Sequence, residues 1–271
     1  MTAAWLDGLT MTATQFAMQA GLIGGRLLVT LVLFWGLHLA LKHRLAHRII
    51  RNWPTAAAMR RDAVYSVGAV LVSAATALLS IAGYIAGVVD IYLPPAQYGW
   101  LWLAIQLPLL LIWQDTWFFW THRFLHRPWW FKRVHYVHHL SRDPSPFTGY
   151  AFHPIEACVH ALTIPLALLV LPLNAGVVLV FGVHQIIRNL LGHSAIEVMP
   201  SGLLTHPVFG LLSTTTHHHL HHEDARGNYA LWFSVWDRVC KTEHPDYTAR
   251  FLATASRPTG QTVPAVAPQA G

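Results

Sequence analysis

Histidine is the residue type whose number and spacing most strongly suggest chemistry in this sequence. The chain has 19 histidines, against 12 acidic residues and 18 lysines and arginines together, and 15 of the 19 lie between positions 122 and 222. Imidazole is the commonest protein ligand for transition metals, and it exchanges protons near neutral pH. This concentration of histidines therefore indicates a protein that handles a metal or protons.

Three short motifs contain most of these histidines. HRFLH at 122–126 spaces two histidines four residues apart, whereas HYVHH at 135–139 and HHLHH at 218–222 each hold histidines at i, i+3 and i+4. Side chains three and four residues apart share one face of a helix. Eight such rings exceed the four ligands of one tetrahedral zinc, and they are enough for two metal ions with open positions. Nitrogen-rich sites of this kind suit iron, whose open positions can take dioxygen.

Other polar residues are candidates for supporting these ligands. His193 follows Asn189 by four residues, which predicts one more ligand and an amide that holds water. His153 could orient a loop or a ligand, His184 is expected to support a ligand or to pack as a polar residue, and His160 is expected at a surface or interface. His217 and His219 are expected to be spare rings beside the ligands. The carboxylates that could orient imidazoles, or equally lie at a surface or cap a helix, are Asp115, Glu156, Glu197 and Asp237.

The elements that must position these residues follow from the composition. Of 271 residues, 54% are hydrophobic and 11% are charged, whereas soluble domains carry about a quarter charged residues. This composition excludes a disordered chain and a basic nucleic-acid-binding domain. The two cysteines are too few for a disulfide framework or a thiolate zinc site.

Three apolar runs are long enough to cross the roughly 30 Å hydrocarbon core of a bilayer. They cover 22–41, 63–89 and 98–121. Arg26 lies near one end of the first run, where its side chain is expected to reach the membrane interface. Only Asp7 is charged before Arg26, which predicts that the chain has no cleaved signal peptide.

A fourth apolar run, at 157–191, is interrupted by Pro165, Pro172 and Asn174. It therefore predicts a short hairpin of two helices. The Pro-, Ala- and Thr-rich tail at 253–271 is expected to be disordered. The predicted fold is all-α: an integral-membrane bundle of three full transmembrane helices and a short two-helix apolar hairpin, with a cytoplasmic helical cap that holds the histidines.

The basic residues lie between the apolar runs. If the two runs at 63–121 and the hairpin each enter the membrane and return, residues 42–61, 122–153 and 192–271 share one face, which holds 16 of the 18 lysines and arginines. Cytoplasmic segments of membrane proteins are enriched in such residues. The net charge of +6 therefore indicates membrane topology with a cytoplasmic catalytic face, not nucleic-acid binding.

The histidine motifs, in this order, resemble those of the fatty acid hydroxylase/sterol desaturase superfamily of membrane diiron enzymes. The resemblance covers 105–245, and the pieces PSPF, AFHP, NY and WDR are most similar to the sterol C-5 desaturase branch. The predicted organisation is an N-terminal transmembrane region at 1–104, this catalytic domain at 105–245 and the tail. The resemblance implies that two irons are held by His122, His126, His135, His138, His139, His218, His221 and His222, with His193 completing the set.

The resemblance also implies the reaction. Dioxygen and two electrons would be used to hydroxylate or desaturate an unactivated C–H bond of a lipid substrate in the bilayer. The sequence contains no glycine fingerprint for a nucleotide, so the electrons are expected from an external NAD(P)H-linked carrier, a ferredoxin or b-type cytochrome with its reductase.

Several alternatives remain open at this point. A sterol-like substrate is favoured, with a fatty-acyl or sphingolipid chain as the second choice, and the ligands do not separate hydroxylation from desaturation. A different class of function is a non-enzymatic membrane metal transporter or metal-binding protein. Transport is disfavoured because the histidines cluster at and beyond the ends of the apolar runs and not within them. A zinc protease of the H-E-x-x-H type is excluded because that motif is absent from the sequence.

Overall fold

A computed structural model of the protein describes residues 2–95 and 97–261, without the side chains of residues 2–13, 38 and 41. The described chain is predominantly helical. Its longest helices are α1 (Thr2–Leu41), α2 (Ala56–Ile85), α3 (Trp100–Leu125) and α8 (Ala175–Gly192). The shorter helices are α4 (Pro128–Trp130), α5 (Tyr136–His139), α6 (Pro154–Ala161), α7 (Thr163–Leu168), α9 (Thr215–Glu223), α10 (Val235–Cys240) and α11 (Tyr247–Ala255).

Three of the described helices are long and apolar enough to cross a membrane: α1 over Thr14–Leu37, α2 and α8. Large apolar side chains point away from the protein on these helices, as Leu33 does with 69% of its surface exposed and Val64 with 73%. Exposing apolar surface along whole helices to water is unfavourable, whereas exposing it to lipid is not. The chain is therefore a membrane protein.

The third predicted span, 98–121, forms a helix but is not one of these three. It lies in α3, where tryptophans, Gln106, Gln114 and Asp115 reduce the mean hydropathy. These polar side chains are buried inside the protein. Gln106 accepts a hydrogen bond from the backbone N–H of Asn174 (2.8 Å), and Asp115 accepts two from the backbone of residues 232 and 233 (3.1 Å each). Because α3 runs without interruption from Trp100 to Leu125, the predicted boundary between residues 104 and 105 falls inside it.

The first predicted span, 22–41, lies within α1, which begins before it. Arg26 is in the described apolar segment Thr14–Leu37 of this helix. Its guanidinium lies beside α8, where a Cβ at Gly182 would come within 2.9 Å of it. That this side chain reaches a membrane interface stays a prediction.

The region of the predicted hairpin contains α6, α7 and α8. Pro165 has no N–H with which to continue the helical hydrogen bonds of α6, and the helix is interrupted between α6 and α7. After α7, the two-residue strand β2 (Leu173–Asn174) pairs in parallel with β1 (Ile91–Tyr92). The Asn174 side chain then begins α8 by accepting a hydrogen bond from the N–H of Gly176 (2.9 Å). Membrane entry and return by this region stays a prediction.

The C-terminal part packs on α9. Tyr247, Phe251 and Ala255 of α11 form a buried apolar cluster with Leu220 of α9. The tail predicted to start at residue 253 therefore begins inside α11, because this packing keeps the helix ordered through Ala255. Residues 262–271 lie outside the described part of the chain.

The largest apolar core joins α3 to α8 and to the loop before α10. Leu110 is fully buried there and lies in one cluster with Phe118, Phe181 and Trp232. Leu110→Ala is expected to destabilise the protein by about 2–5 kcal/mol, through lost burial and the cavity left behind. Leu101→Ala is the matched control on the same helix, because Leu101 is 77% exposed. Thermal unfolding in mild detergent measures both variants, and equal midpoints would contradict this description of the core.

Candidate metal centre

The first two histidine motifs lie at and beyond the end of α3. His122 is in the last turn of α3 and His126 is its C-cap residue. Pro128 then begins α4, and the chain continues through a π-helical turn (Phe131–His135) into α5. The π-helical turn re-aims the side chains that follow it. It brings the HYVHH motif back over the end of α3.

The third motif lies on α9, whose start is fixed by two side chains. Thr214 accepts a hydrogen bond from the N–H of His217 (3.2 Å). The carboxylate of Glu197 accepts from the N–H and the hydroxyl of Thr216 (2.9 and 2.8 Å). A carboxylate at a helix N-terminus satisfies free N–H groups and favours the helix dipole. Glu197 thus orients the whole of α9 and not, as the sequence allowed, an imidazole.

Nine histidines converge in two groups. Within each group, the ligand-capable atoms all lie within 4.8 Å of one another. The first group, called the five-histidine group, consists of His122, His126, His135, His139 and His221. The second, the four-histidine group, consists of His138, His193, His218 and His222. Together they contain every histidine that the sequence predicts as a ligand.

The spacing of the ring nitrogens fits one metal ion in each group. A metal–nitrogen bond of about 2.1 Å places two ligand nitrogens about 3.0 Å apart at a right angle and about 3.4 Å apart at the tetrahedral angle. In the five-histidine group, neighbouring Nε2 atoms are 3.0–3.3 Å apart. In the four-histidine group, the Nε2 atom of His193 lies 2.9 Å from that of His218 and 3.4 Å from that of His138.

The two groups are linked through consecutive residues. His138 and His139 belong to different groups, as do His221 and His222. The ring centroids within these pairs are 5.9 and 6.0 Å apart. Two ions bound here would therefore be neighbours held by the same two helices, α5 and α9.

Hydrogen bonds to Nδ1 determine which nitrogen faces each group. A carbonyl oxygen can only accept, so the Nδ1 atoms of three rings must carry the proton: His122 donates to the Tyr229 carbonyl, His221 to that of Gly227 and His193 to that of Asn189, each at 2.7 Å. Their Nε2 atoms then present lone pairs to the interior of the groups. Facing lone pairs repel one another, and a cation between them removes this repulsion.

Burial reinforces the neutral state of these rings. Desolvation and the neighbouring imidazole of His221 lower the pKa of His126 to about 2. Desolvation lowers the pKa of His221 to about 4. Both ring nitrogens of His222 are buried without a hydrogen-bond partner in the described protein. Because metal ligation requires neutral imidazole, the groups are prepared to bind metal at physiological pH.

The supporting residues differ in how closely they act on the ligands. Glu156 contacts one directly, since its carboxylate accepts a hydrogen bond from Nδ1 of His135 (2.7 Å). Asn189 contributes its backbone carbonyl to His193, while its amide donates to the carbonyl of Gly149. Asp237 acts through the backbone: it accepts from the N–H groups of residues 229 and 230 (3.0 and 2.8 Å). It thereby fixes the loop whose carbonyl orients His122.

Of three further histidines, only His160 differs from its sequence prediction. His153 caps α6 by accepting a hydrogen bond from the N–H of Ile155 (3.2 Å), and orienting a loop was one of the two roles expected of it. The ring of His184 lies against Trp232 (4.8 Å between centroids), and packing as a polar residue was one of the two roles expected of it. His160 is not a surface residue: its ring stacks on Phe118 at 5.0 Å, and its Nε2 lies 3.5 Å from the Glu156 carboxylate.

Sequence reasoning missed one supporting residue and two supporting carbonyls. Asp62 on α2 is buried and accepts hydrogen bonds from Ser141 and Thr148 (2.6 Å each), which ties the loop after the second motif to α2. Its position directly before the apolar run at 63–89 was the available signal. The carbonyls of Gly227 and Tyr229 had no signal, because every residue has one.

A cavity of about 360 Å³ opens onto the histidines, within the roughly 300–1,000 Å³ typical of small-molecule sites. Its walls are mainly apolar side chains of α1, α2, α3, α6, α7 and α8. The histidines that line it are His122, His135, His138, His160, His193 and His218. The metal-binding groups therefore face a space suited to an apolar molecule.

Comparison with known proteins gives a consistent result. The model of the family described as fatty acid hydroxylase matches residues 107–242, which is half of the chain. Lathosterol oxidase is 30% identical over 141 residues in mouse (52% of this chain, 46% of the relative) and 29% over 185 residues in human (67% and 60%). The Delta(7)-sterol 5(6)-desaturase of Gibberella zeae is 29% identical over 141 residues (52% and 42%). The chain thus spans about half the length of these relatives. No solved structure matches it significantly.

The contact between Glu156 and His135 is expected to control metal affinity. Glu156→Ala should weaken retention of iron by about 10- to 100-fold, since the ring loses the acceptor that orients it. Glu156→Gln keeps an acceptor oxygen, so its iron retention should lie between that of the unchanged protein and that of Glu156→Ala. Chelator competition on purified protein measures this retention. His153→Asn, which preserves the cap of α6, is the control, and equal iron retention in all four proteins would refute the role of Glu156.

Proposed function

The chain belongs to the fatty acid hydroxylase family, as the resemblance in its histidine motifs predicts, and we propose that it is a membrane-bound diiron oxidoreductase acting on a lipid. The enzyme uses dioxygen and two electrons to hydroxylate or desaturate an unactivated C–H bond. A sterol-like substrate is favoured. One observation carries the proposal: two adjacent groups of buried histidines, with Nε2 lone pairs facing inward, border an apolar cavity.

The donor set fits iron. The nine candidate ligands are neutral nitrogens without thiolate or carboxylate partners in either group, a set that leaves iron able to take additional ligands. Two iron ions bound there would supply oxidation of a C–H bond by dioxygen, which consumes two electrons and two protons and yields an alcohol and water, or an alkene and two waters. Glu156 and the three carbonyl acceptors hold the imidazoles for this task.

The apolar cavity would position the substrate and exclude water from the histidines. Phe118, Phe152 and Leu231 are among the apolar residues lining the cavity beside the histidines. A lipid lying in this space presents mainly carbon to the walls beside the histidines. Confinement favours reaction at one carbon because the substrate's orientation is set before the reaction. Excluding water also protects a strong oxidant from side reactions.

The names of the relatives support the sterol-like substrate. Lathosterol oxidase and Delta(7)-sterol 5(6)-desaturase both act on sterols by name, and the apolar cavity accommodates a molecule of that character. A fatty-acyl or sphingolipid chain is the alternative within the same reaction class. Metal transport is less well supported, because the cavity wall away from the histidines is mainly apolar and offers a moving ion few ligands.

An exposed basic surface supports an external electron donor. Arg127, Lys132 and Arg133 are exposed close to His126 and His135 in the chain. Arg127 lies over Phe124 (5.0 Å) and Arg133 over Trp129 (4.6 Å). An acidic ferredoxin or b-type cytochrome, reduced by an NAD(P)H-linked reductase, would be attracted to this surface. The same charges support a multi-pass topology with the catalytic face in the cytoplasm.

Lipid mass spectrometry tests the reaction. Cells that express the protein should gain a lipid with one more oxygen or two fewer hydrogens than its precursor, and the precursor identifies the substrate class. His138→Ala and His221→Ala each remove a ligand from one group and should abolish the product while the protein still inserts into membranes. His206→Ala is the control, because His206 lies outside both groups. A product that persists in either ligand variant would contradict the assignment.

Charge reversal tests the donor surface. The triple variant Arg127→Glu, Lys132→Glu, Arg133→Glu should reduce the rate of reduction by an acidic protein donor at least tenfold at low salt, and the difference should shrink as salt screens the charges. Stopped-flow spectroscopy of the iron centre measures this rate. Reduction by a small neutral mediator is the control and should be unchanged. An unaltered rate with the protein donor would refute docking at this surface.

A further inference from the structure

Arg26 is a cation within an apolar helix. It lies within the apolar segment Thr14–Leu37 of α1, and a charged side chain in such a segment is costly unless it reaches water or a partner. Its Nε donates to the carbonyl of Leu22 (3.3 Å) on its own helix. No ion pair of Arg26 is present among the described residues. The guanidinium therefore has donor groups left for another molecule.

The guanidinium is directed into the cavity that reaches the histidines. Arg26 lines this cavity. Its Nη1 atom lies so close to α8 that a Cβ at Gly182 would be only 2.9 Å away. Glycine at 182 thus leaves room for the guanidinium between α1 and α8. Gln185, about one turn along α8, and Gln19 on α1 also line the cavity, so this part of the wall offers several hydrogen-bonding groups.

The distance between this polar region and the histidines follows from α8. Gly182 and His193 both line the cavity, and they are eleven residues apart, which corresponds to about 16 Å along the helix axis at 1.5 Å per residue. The lining continues beyond Gly182 to Ala175, so a polar group larger than a hydroxyl also has space. The intervening wall is mainly apolar.

We propose that Arg26, with Gln185, binds a polar, oxygen-bearing group of the lipid substrate and so directs oxidation to a carbon about 16 Å away along α8. For a sterol-like lipid bound by its hydroxyl, this carbon is remote from the hydroxyl and differs from positions 5 and 6 in the name of the fungal relative. Arg26 is then a specificity-determining residue. A hydroxyl of a sterol-like lipid and a carboxylate of an acyl chain share the required acceptor oxygen. The inference rests on the proposed function, because it assumes that the lipid is held at Arg26 and oxidised at the two histidine groups.

Fluorescent lipids test this binding without turnover. The iron-loaded protein in phosphatidylcholine nanodiscs is titrated with two pairs of probes: dehydroergosterol and its 3-deoxy analogue, and cis-parinaric acid and its methyl ester. In one pair, the probe with the free hydroxyl or carboxylate should bind about tenfold more tightly, as expected for a hydrogen bond to a charged group. The pair that shows the preference identifies the substrate class.

Variants assign the preference to Arg26. Arg26→Met should abolish it, Arg26→Lys should retain most of it, and Gly182→Ala should weaken it by displacing the guanidinium. Arg60→Met is the matched control, since Arg60 is exposed and does not line the cavity. The proposal is overturned if neither pair shows a preference or if Arg26→Met keeps it. Iron content is measured on the same samples: its absence refutes the diiron function, whereas its presence without a preference refutes only the role of Arg26.

Discussion

The structure depends on the need to hold nine neutral imidazoles together in a buried space. Burial of polar nitrogens is unfavourable unless each has a partner. Here carbonyls fix the Nδ1 atoms of His122, His193 and His221, so the Nε2 atoms can only turn toward one another. Without a cation, this arrangement opposes folding. With one in each group, it joins the ends of α3, α5, α8 and α9.

This requirement explains where polar groups occur in an otherwise apolar chain. Asp62 holds the loop after α5, Glu197 begins α9, and Asp237 holds the loop that carries the Tyr229 carbonyl. None of the three touches a candidate ligand atom. Asp237 fixes the loop whose Tyr229 carbonyl contacts His122, Glu197 fixes the start of the helix that carries three candidate ligands, and Asp62 ties the loop after α5 to α2. Their burial is tolerated because each accepts at least three hydrogen bonds.

The candidate site was more predictable from sequence than the membrane architecture. Imidazole spacing of three and four residues survives in any helix, and it located eight of the nine converging histidines; His193 was predicted from Asn189, four residues before it. His184 was a weaker prediction, because its role depends on which side of α8 it faces. It is nine residues from His193, about two and a half helical turns, and therefore faces the opposite side. The predicted spans and the structure differ at α3: mean hydropathy does not mark this helix as a span, because it counts Gln106 and Asp115 as unfavourable. Their hydrogen-bond partners, near residues 174 and 232, are distant in sequence.

Helix α8 links the membrane part of the protein to its chemistry. One continuous helix carries Gly182, against which Arg26 lies, and ends at His193 in the four-histidine group. A helix packed on both α1 and α3 keeps a constant length. The distance between Gly182 and His193 is therefore set by the number of residues between them. A flexible loop between them would let substrates of different length react at different carbons. In the proposed function, a rigid helix would instead convert the length of the lipid into a choice of reacting carbon, and this would let a chemically non-selective oxidant act selectively.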